Sequence, residues 1–308
     1  MKKLFLTFFF GSVTLAATAQ LSEANYRIYS VKLDKEVPLN VIAEDMINYD
    51  VLFMGEEHND SVTHYLEKTM LSLMYDKYGD DLALSMEMFE RDVQPVMNEY
   101  LNGFIKEKHF IKDARVWSNY RDYKPMVEFA KENKLDVICA NAASRYANLA
   151  GRKGQEYLKK LPDASKQNFA PLPYAVATGG YYEKLTGIHQ VPAGTPADTT
   201  APAQNNMGMG NFDLVAAQSL WDATMAYSIT EYRKKNKSKK IMQVNGKFHS
   251  DEGYAVAAQL KNYNAKIKRL IVSTSSDDAY PKIDWSKYKK YGDYIIITDP
   301  KVPRTYND

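Results

Sequence analysis

Short apolar runs alternate along this chain with longer stretches in which apolar residues recur every three or four positions. Val51-Leu52-Phe53-Met54 is a run of the first kind, ended by Gly55, and it reads as a buried strand. Val62, Tyr65, Leu66, Thr69, Met70, Leu73 and Met74 then follow within 60–78, at the spacing of an amphipathic helix. Gly79-Asp80 ends that segment. By the same reading 82–86, 136–140, 241–244, 269–273 and 294–298 are strands, and 39–49, 92–106, 123–133, 212–235 and 251–262 are helices. Strands alternating with helices predict an α/β fold, a mainly parallel sheet with helices on both faces.

The alternation breaks at about 151–210. Pro162, Pro171, Pro173, Pro192, Pro196 and Pro202 fall there, and glycines and small polar residues fill its end. This stretch reads as an inserted cap with a mobile loop on a single α/β domain spanning 20–308. The lead-in at 20–47 carries no clear pattern, and no internal repeat is visible.

The N-terminus has a different character. Lys2 and Lys3 precede an apolar run from Leu4 to Phe10, continued from Val13 to Ala17, and Ala17-Thr18-Ala19 forms an A-x-A site. That is the build of a signal peptide over 1–19, cleaved near Ala19. The expected location is periplasmic or secreted, and the absence of a nearby cysteine argues against a lipid anchor. No later stretch is apolar for long enough to predict a transmembrane segment. A net charge of +2 gives no reason to expect a nucleic-acid partner. Cys139 stands alone in an apolar run, so no intrachain disulfide is available and a core position is expected.

Chemistry-bearing residues gather at the predicted strand ends. The first strand ends in Gly55-Glu56-Glu57-His58, the second at Glu87, the third at Asn141 with Arg145 beyond it, and the fourth in Asn245-Gly246-Lys247-Phe248-His249. In parallel sheets ligands bind outside the carboxyl ends of the strands. The glycine in each G-x-x-H lets the chain turn off its strand. Two imidazoles and a carboxylate in one crevice would suit a divalent metal or general acid–base chemistry. Either G-x-x-H alone is a common surface pattern; the argument rests on their pairing with Glu87. The remaining histidines carry less. His64 is read as a surface or secondary residue, His109 as solvated, and His189 as a cap residue near Tyr181 and Tyr182. A Tyr/His cluster of that kind could ligate a haem iron. Met207 and Met209 read as loop filler. Gln218 and Asp222, four apart on one helix, share a face that either approaches the crevice or is solvated.

Taken in order, Gly55-Glu56-x-His58, Met86-Glu87-Met88-Phe89 with Gln94, Ala217-Gln218-x-x-x-Asp222-x-x-Met225-Ala226 and Asn245-Gly246-x-x-His249 resemble the ChaN-like haem-binding uptake family. Its wider superfamily includes Tiki-type metalloproteases and erythromycin-esterase-like proteins. The resemblance implies an extracytoplasmic haem-binding protein of iron acquisition. It carries over as site residues to His58, Glu87 and His249, supported by Glu56 and Arg145. The expected haem ligands lie in the cap, at Tyr181, Tyr182 or His189, with Lys184 toward a propionate. The expected partners are haem or another small ligand, an outer-membrane haem receptor and a second copy of the chain in a homodimer. The rival expectation is a metal-dependent hydrolase, a peptidase or esterase. There His58, Glu87 and His249 hold a divalent metal, and Glu56 or Glu57 acts as general base. In a third reading the strand-end site is vestigial and the chain is a surface interaction protein.

Overall fold

A computed structural model describes residues 21–187 and 212–306. Its strands are β1 (Tyr26–Ser30), β2 (Lys35–Glu36), β3 (Val51–Glu56), β4 (Leu82–Glu90), β5 (Asp136–Asn141), β6 (Lys240–Gly246), β7 (Arg269–Ser276) and β8 (Tyr294–Thr298). They form one sheet in the order β2-β1-β8-β7-β3-β6-β4-β5. From β8 to β5 all pairings are parallel. β1 and β2 extend the β8 edge in antiparallel fashion. The helices are α1 (Asn40–Asp45), α2 (Ser61–Tyr78), α3 (Gln94–Leu101), α4 (Glu107–Asp113), α5 (Tyr120–Glu132), α6 (Ser144–Lys153), α7 (Gln155–Leu158), α8 (Asp163–Lys166), α9 (Gly179–Gly187), α10 (Leu214–Lys235) and α11 (Ala255–Tyr263).

The fold is the expected α/β sandwich, because successive side chains of a strand face opposite sides. On β3, Leu52 and Met54 join the core formed with Leu66 and Met70 of α2 and Tyr123 and Met126 of α5. Val51 and Phe53 point the other way, into a core with Met225 and Ile229 of α10 and Val256 and Leu260 of α11. Every residue of β3 is buried, as a strand covered on both faces requires. No helix among the described residues is long and apolar enough to cross a membrane.

Some predicted bounds shift. The helix read over 92–106 is broken into α3 and α4, with Gly103 at φ +75° between them, a conformation that favours glycine. The strand read over 82–86 continues as β4 to Glu90, with its register to β5 interrupted between Met86 and Glu90. The patternless lead-in contains β1, whose Tyr26 and Ile28 are buried. In the cap, the described part is packed: Leu158, Phe169 and Tyr174 form a core with Tyr146 of α6 and Leu220 and Ala223 of α10.

The topology opens a crevice at one place. β3 and β6 are neighbours. β3 runs on toward α2 on the first face, and β6 runs on toward α11 on the second. Where connections from adjacent parallel strands part in this way, a cleft forms beyond their carboxyl ends. His58 follows β3, and His249 follows β6.

Candidate functional site

The start of α2 fixes the first half of the site. The Asp60 carboxylate accepts hydrogen bonds from the backbone N–H groups of Val62 and Thr63, an N-cap that starts the helix immediately after His58. His58 Nδ1 lies 2.8 Å from Glu56 Oε1. Tyr123 of α5 donates its hydroxyl to the same oxygen at 2.9 Å. The ring meets Trp117 edge-on at 5.2 Å, and Asn119 donates to the His58 carbonyl. His58 is therefore held from every side, with Nε2 turned toward Gly246.

The second half comes from β6 and α10. His249 Nδ1 lies 2.6 Å from Asp222 Oδ1, and Tyr181 of α9 donates its hydroxyl to Asp222 Oδ2 at 2.7 Å. His249 Nε2 is 3.4 Å from Glu87 Oε1. Glu87 Oε2 accepts the Gly246 N–H at 2.8 Å. Glu87 sits where the register of β4 breaks, and a bulge of this kind re-aims a side chain at a site. The result is a buried relay: Glu56–His58 on one side, Asp222–His249 on the other, and Glu87 between the two imidazoles.

Burial and charge act together here. Burial opposes the charge on Glu87, but His249, His58 and the Gly246 N–H outweigh it and hold the carboxyl down at about 2. Burial also opposes the charge on His249, while Glu87 and Asp222 outweigh it and keep the ring protonated up to about 10. Burial, then the neighbouring Asp222 carboxylate, push the Tyr181 phenol well above its ordinary value. Chemically, the arrangement can hold and pass protons between alternating acids and bases. It also matches the way metal-binding imidazoles give their second nitrogen to a carboxylate.

The glycines of the two motifs serve clearance. Gly246 has φ −50°, which any residue adopts. A Cβ there would stand 2.8 Å from His58 Nε2 and 3.1 Å from Cε1. At Gly55 a Cβ would meet the Lys247 backbone at 3.0 Å. The expected sharp turn is replaced by close approach, a second property that only glycine supplies.

The structure thus brings His58, Glu87, His249 and Glu56 together. It places other candidates elsewhere. Arg145 pairs with Asp92 and the hydroxyl of its neighbour Tyr146, in a surface network with Arg115 and Glu90, because β5 lies at the sheet edge, two strands from β6. Glu57 is bridged by Lys247 and Arg304, so it is not a free base, and Glu56 is already engaged by His58 and Tyr123. Tyr181 belongs to the strand-end relay, so the cap and the sheet edge are not separate sites. Tyr182 is 48% exposed. His189, Met207 and Met209 lie outside the described residues, as does 1–19.

His64 corrects a further expectation. It is buried, not at the surface. Its Nδ1 is 3.1 Å from Glu67 Oε2 and 3.3 Å from Glu56 Oε2, and its Nε2 is 3.0 Å from the His58 carbonyl. Burial opposes its charge, but Glu56 and Glu67 outweigh this and raise the ring to about 10. Burial, then repulsion from Glu56, raise Glu67 to about 8. Tyr123 and Glu67 gave no signal in the sequence. Asp222 did: it shares a helical face with Gln218, one that could approach the crevice.

A solved structure described as cofacial heme binding to ChaN of Campylobacter jejuni shares this fold, with a TM-score of 0.64 and 15% identity over 90% of this chain and 98% of that one. An erythromycin esterase, EreC, in an open conformation is 9% identical over 90% of this chain and 99% of that one, at a TM-score of 0.47. No curated protein matches by sequence. Residues 42–260 match the family described as haem-binding uptake, Tiki superfamily, ChaN. With that match extending from α1 to α11 and the strand-end motifs inside it, the chain belongs to the ChaN haem-binding uptake family of the Tiki superfamily.

Proposed function

We propose that this chain binds haem outside the cytoplasm and serves haem or iron acquisition, with Tyr182 as the axial ligand. The observation that carries the ligand assignment is the contrast between two adjacent tyrosines. The Tyr181 phenol is buried and committed to Asp222. A ligand there would have to leave a carboxylate that disfavours its ionisation. Tyr182, one residue on, is 48% exposed and can reach a haem lying on the open face of α9. Lys184, the cation expected for a propionate, instead turns away from Tyr182, over the Phe248 ring at 4.8 Å and 3.8 Å from Glu252, so a propionate partner on the Tyr182 face must come from elsewhere. Bound haem would supply an iron that accepts the phenolate oxygen. A haem on an open face leaves its second side uncovered; in the Campylobacter jejuni protein the haems are cofacial, and a homodimer that stacks two such faces would complete the site here. The signal-like segment at 1–19 supports export, and an outer-membrane haem receptor is the partner for transfer. Haemin titrated into the processed chain should give a saturable Soret change that Tyr182→Phe removes and Tyr181→Phe retains. A His189→Ala variant that abolishes the change, with Tyr182→Phe silent, would reassign the ligand.

A second reading is favoured by the relay itself. His58, Glu87 and His249 would hold a divalent metal or act directly as acid and base, in a hydrolase for peptides or esters. Both imidazoles place Nδ1 against a carboxylate, as metal-binding histidines do, with His249 Nε2 at 3.4 Å from Glu87 and His58 Nε2 turned toward Gly246. Metal uptake would require loss of the His249 proton. Ester hydrolysis that disappears in both His58→Ala and His249→Ala would support it.

A further inference from the structure

Behind the relay, and sharing Glu56 with it, lies a second cluster whose His64 and Glu67 neither reading uses. We propose that Glu56, His64 and Glu67 form a site for one divalent transition-metal ion of the zinc class, independent of haem and of the His58–Glu87–His249 site. Each of the three offers one donor atom, and these atoms lie within 4.8 Å of one another. His64 Nδ1 is 3.3 Å from Glu56 Oε2 and 3.1 Å from Glu67 Oε2. The edge of a tetrahedron built with zinc–donor bonds of roughly 2.0–2.1 Å is about 3.3 Å. The donors therefore already stand near coordination spacing.

Two further observations favour an ion. His64 Nε2 donates to the His58 carbonyl at 3.0 Å, the outer-shell contact usual for a ligating histidine, so Nδ1, once its proton is displaced, is the nitrogen left to ligate. Glu67 Oε1 is fully buried without a hydrogen-bond partner, and Glu56 Oε2, equally buried, has only the His64 ion pair at 3.3 Å, although buried carboxylate oxygens are rarely left so poorly matched. An ion that displaces the His64 and Glu67 protons leaves a neutral imidazole and two carboxylates, whose charge a dication cancels. A fourth position would fall to water. Taking up the ion displaces the protons the three groups otherwise share.

The position has a consequence for the relay. Glu56 divides its two oxygens, Oε1 to His58 and Tyr123 and Oε2 to the cluster. An ion on Oε2 would draw charge from the carboxylate that orients His58, and so link metal load to the strand-end site.

The test uses the processed chain with any tag removed, stripped by a chelator and titrated with Zn²⁺ against a chromophoric competitor. One ion per chain is expected. X-ray absorption of the zinc-loaded wild type should show one imidazole among oxygen donors. Glu67→Gln should weaken binding by about tenfold to a hundredfold or more, whereas His249→Ala keeps one ion bound. Circular dichroism checks that each variant is folded, and the wild-type absorption spectrum decides the ligand set without any variant. Two imidazoles at the ion, or loss of binding in His249→Ala with Glu67→Gln unchanged, would place the metal at the strand ends and overturn the proposal. So would a folded wild type that takes up no zinc at one equivalent. None of these outcomes depends on whether haem binds.

Discussion

Adding a single methyl group at Gly246 tests whether the strand-end glycine exists for clearance. The alanine Cβ would stand 2.8 Å from His58 Nε2 and 3.1 Å from Cε1, with Glu87 Oε2 at 3.8 Å. Ordinary non-bonded contact begins near 3.5 Å. His58 has little room to retreat, because Glu56 and Tyr123 hold Nδ1 at 2.8 and 3.1 Å and Trp117 abuts its ring. Overpacking of this kind costs about 1–3 kcal/mol. The backbone at φ −50°, ψ 132° accepts alanine without strain, and restricting the unfolded chain returns about 0.4–1 kcal/mol. The net loss is therefore roughly 0–2.6 kcal/mol, a fall in melting temperature of up to about 10 °C at roughly 2–4 °C per kcal/mol. Urea denaturation followed by circular dichroism measures it, and NMR of the imidazole nitrogens reports whether His58 has moved. Gly187→Ala is the control: among the described residues no atom lies within 4 Å of the added methyl, and stability should change little. If Gly246→Ala is as stable as the parent and the His58 signals stay in place, the clearance argument is wrong.

Other substitutions probe the same core. Tyr181→Phe leaves Asp222 with one partner fewer in a buried setting and should cost about 1.5–3 kcal/mol by chemical denaturation; an unchanged midpoint would show that the bond contributes nothing. Phe53 is fully buried between sheet and α10, and Phe53→Ala should lose about 3–5 kcal/mol, read by the same assay. Burial raises Asp251 to about 6, against the partial relief from Lys184. Because the folded state holds this proton more tightly than the unfolded chain, its stabilisation is complete below about pH 4 and lost as pH rises through 6. Asp251→Asn should therefore gain stability on the parent between pH 4 and 7, by at most about 3 kcal/mol; a constant difference across that range would contradict the assignment.

The sheet was legible because its strands are buried on both faces. Val51–Met54 is apolar throughout and Ile241–Val244 apolar but for Gln243, and both are flanked by helices with a clear period. β1 was not, since five residues with Arg27 and Ser30 among them resemble any lead-in. The break between α3 and α4 hung on one glycine conformation, which the apolar pattern does not encode. At the site, the strand-end rule found His58, Glu87 and His249 because position in a parallel sheet follows from element order. It could not find partners contributed by packing. Tyr123 reaches Glu56 from α5, 67 residues away along the chain, and nothing near Tyr123 marks it. His64 was misread because burial of a polar helical residue depends on what lies opposite, here Glu56 from β3. Arg145 was placed near the crevice by its strand end and by the family resemblance, yet β5 is an edge strand and Arg145 pairs with Asp92.

The most direct measurement is the haem content of the chain recovered from outside the cytoplasm of its own cells, by pyridine haemochrome assay alongside elemental analysis. Bound haem that is lost in Tyr182→Phe and kept in Tyr181→Phe is the predicted result. Protein that is haem-free as isolated, and that gives no saturable Soret change when haemin is added, would contradict the account.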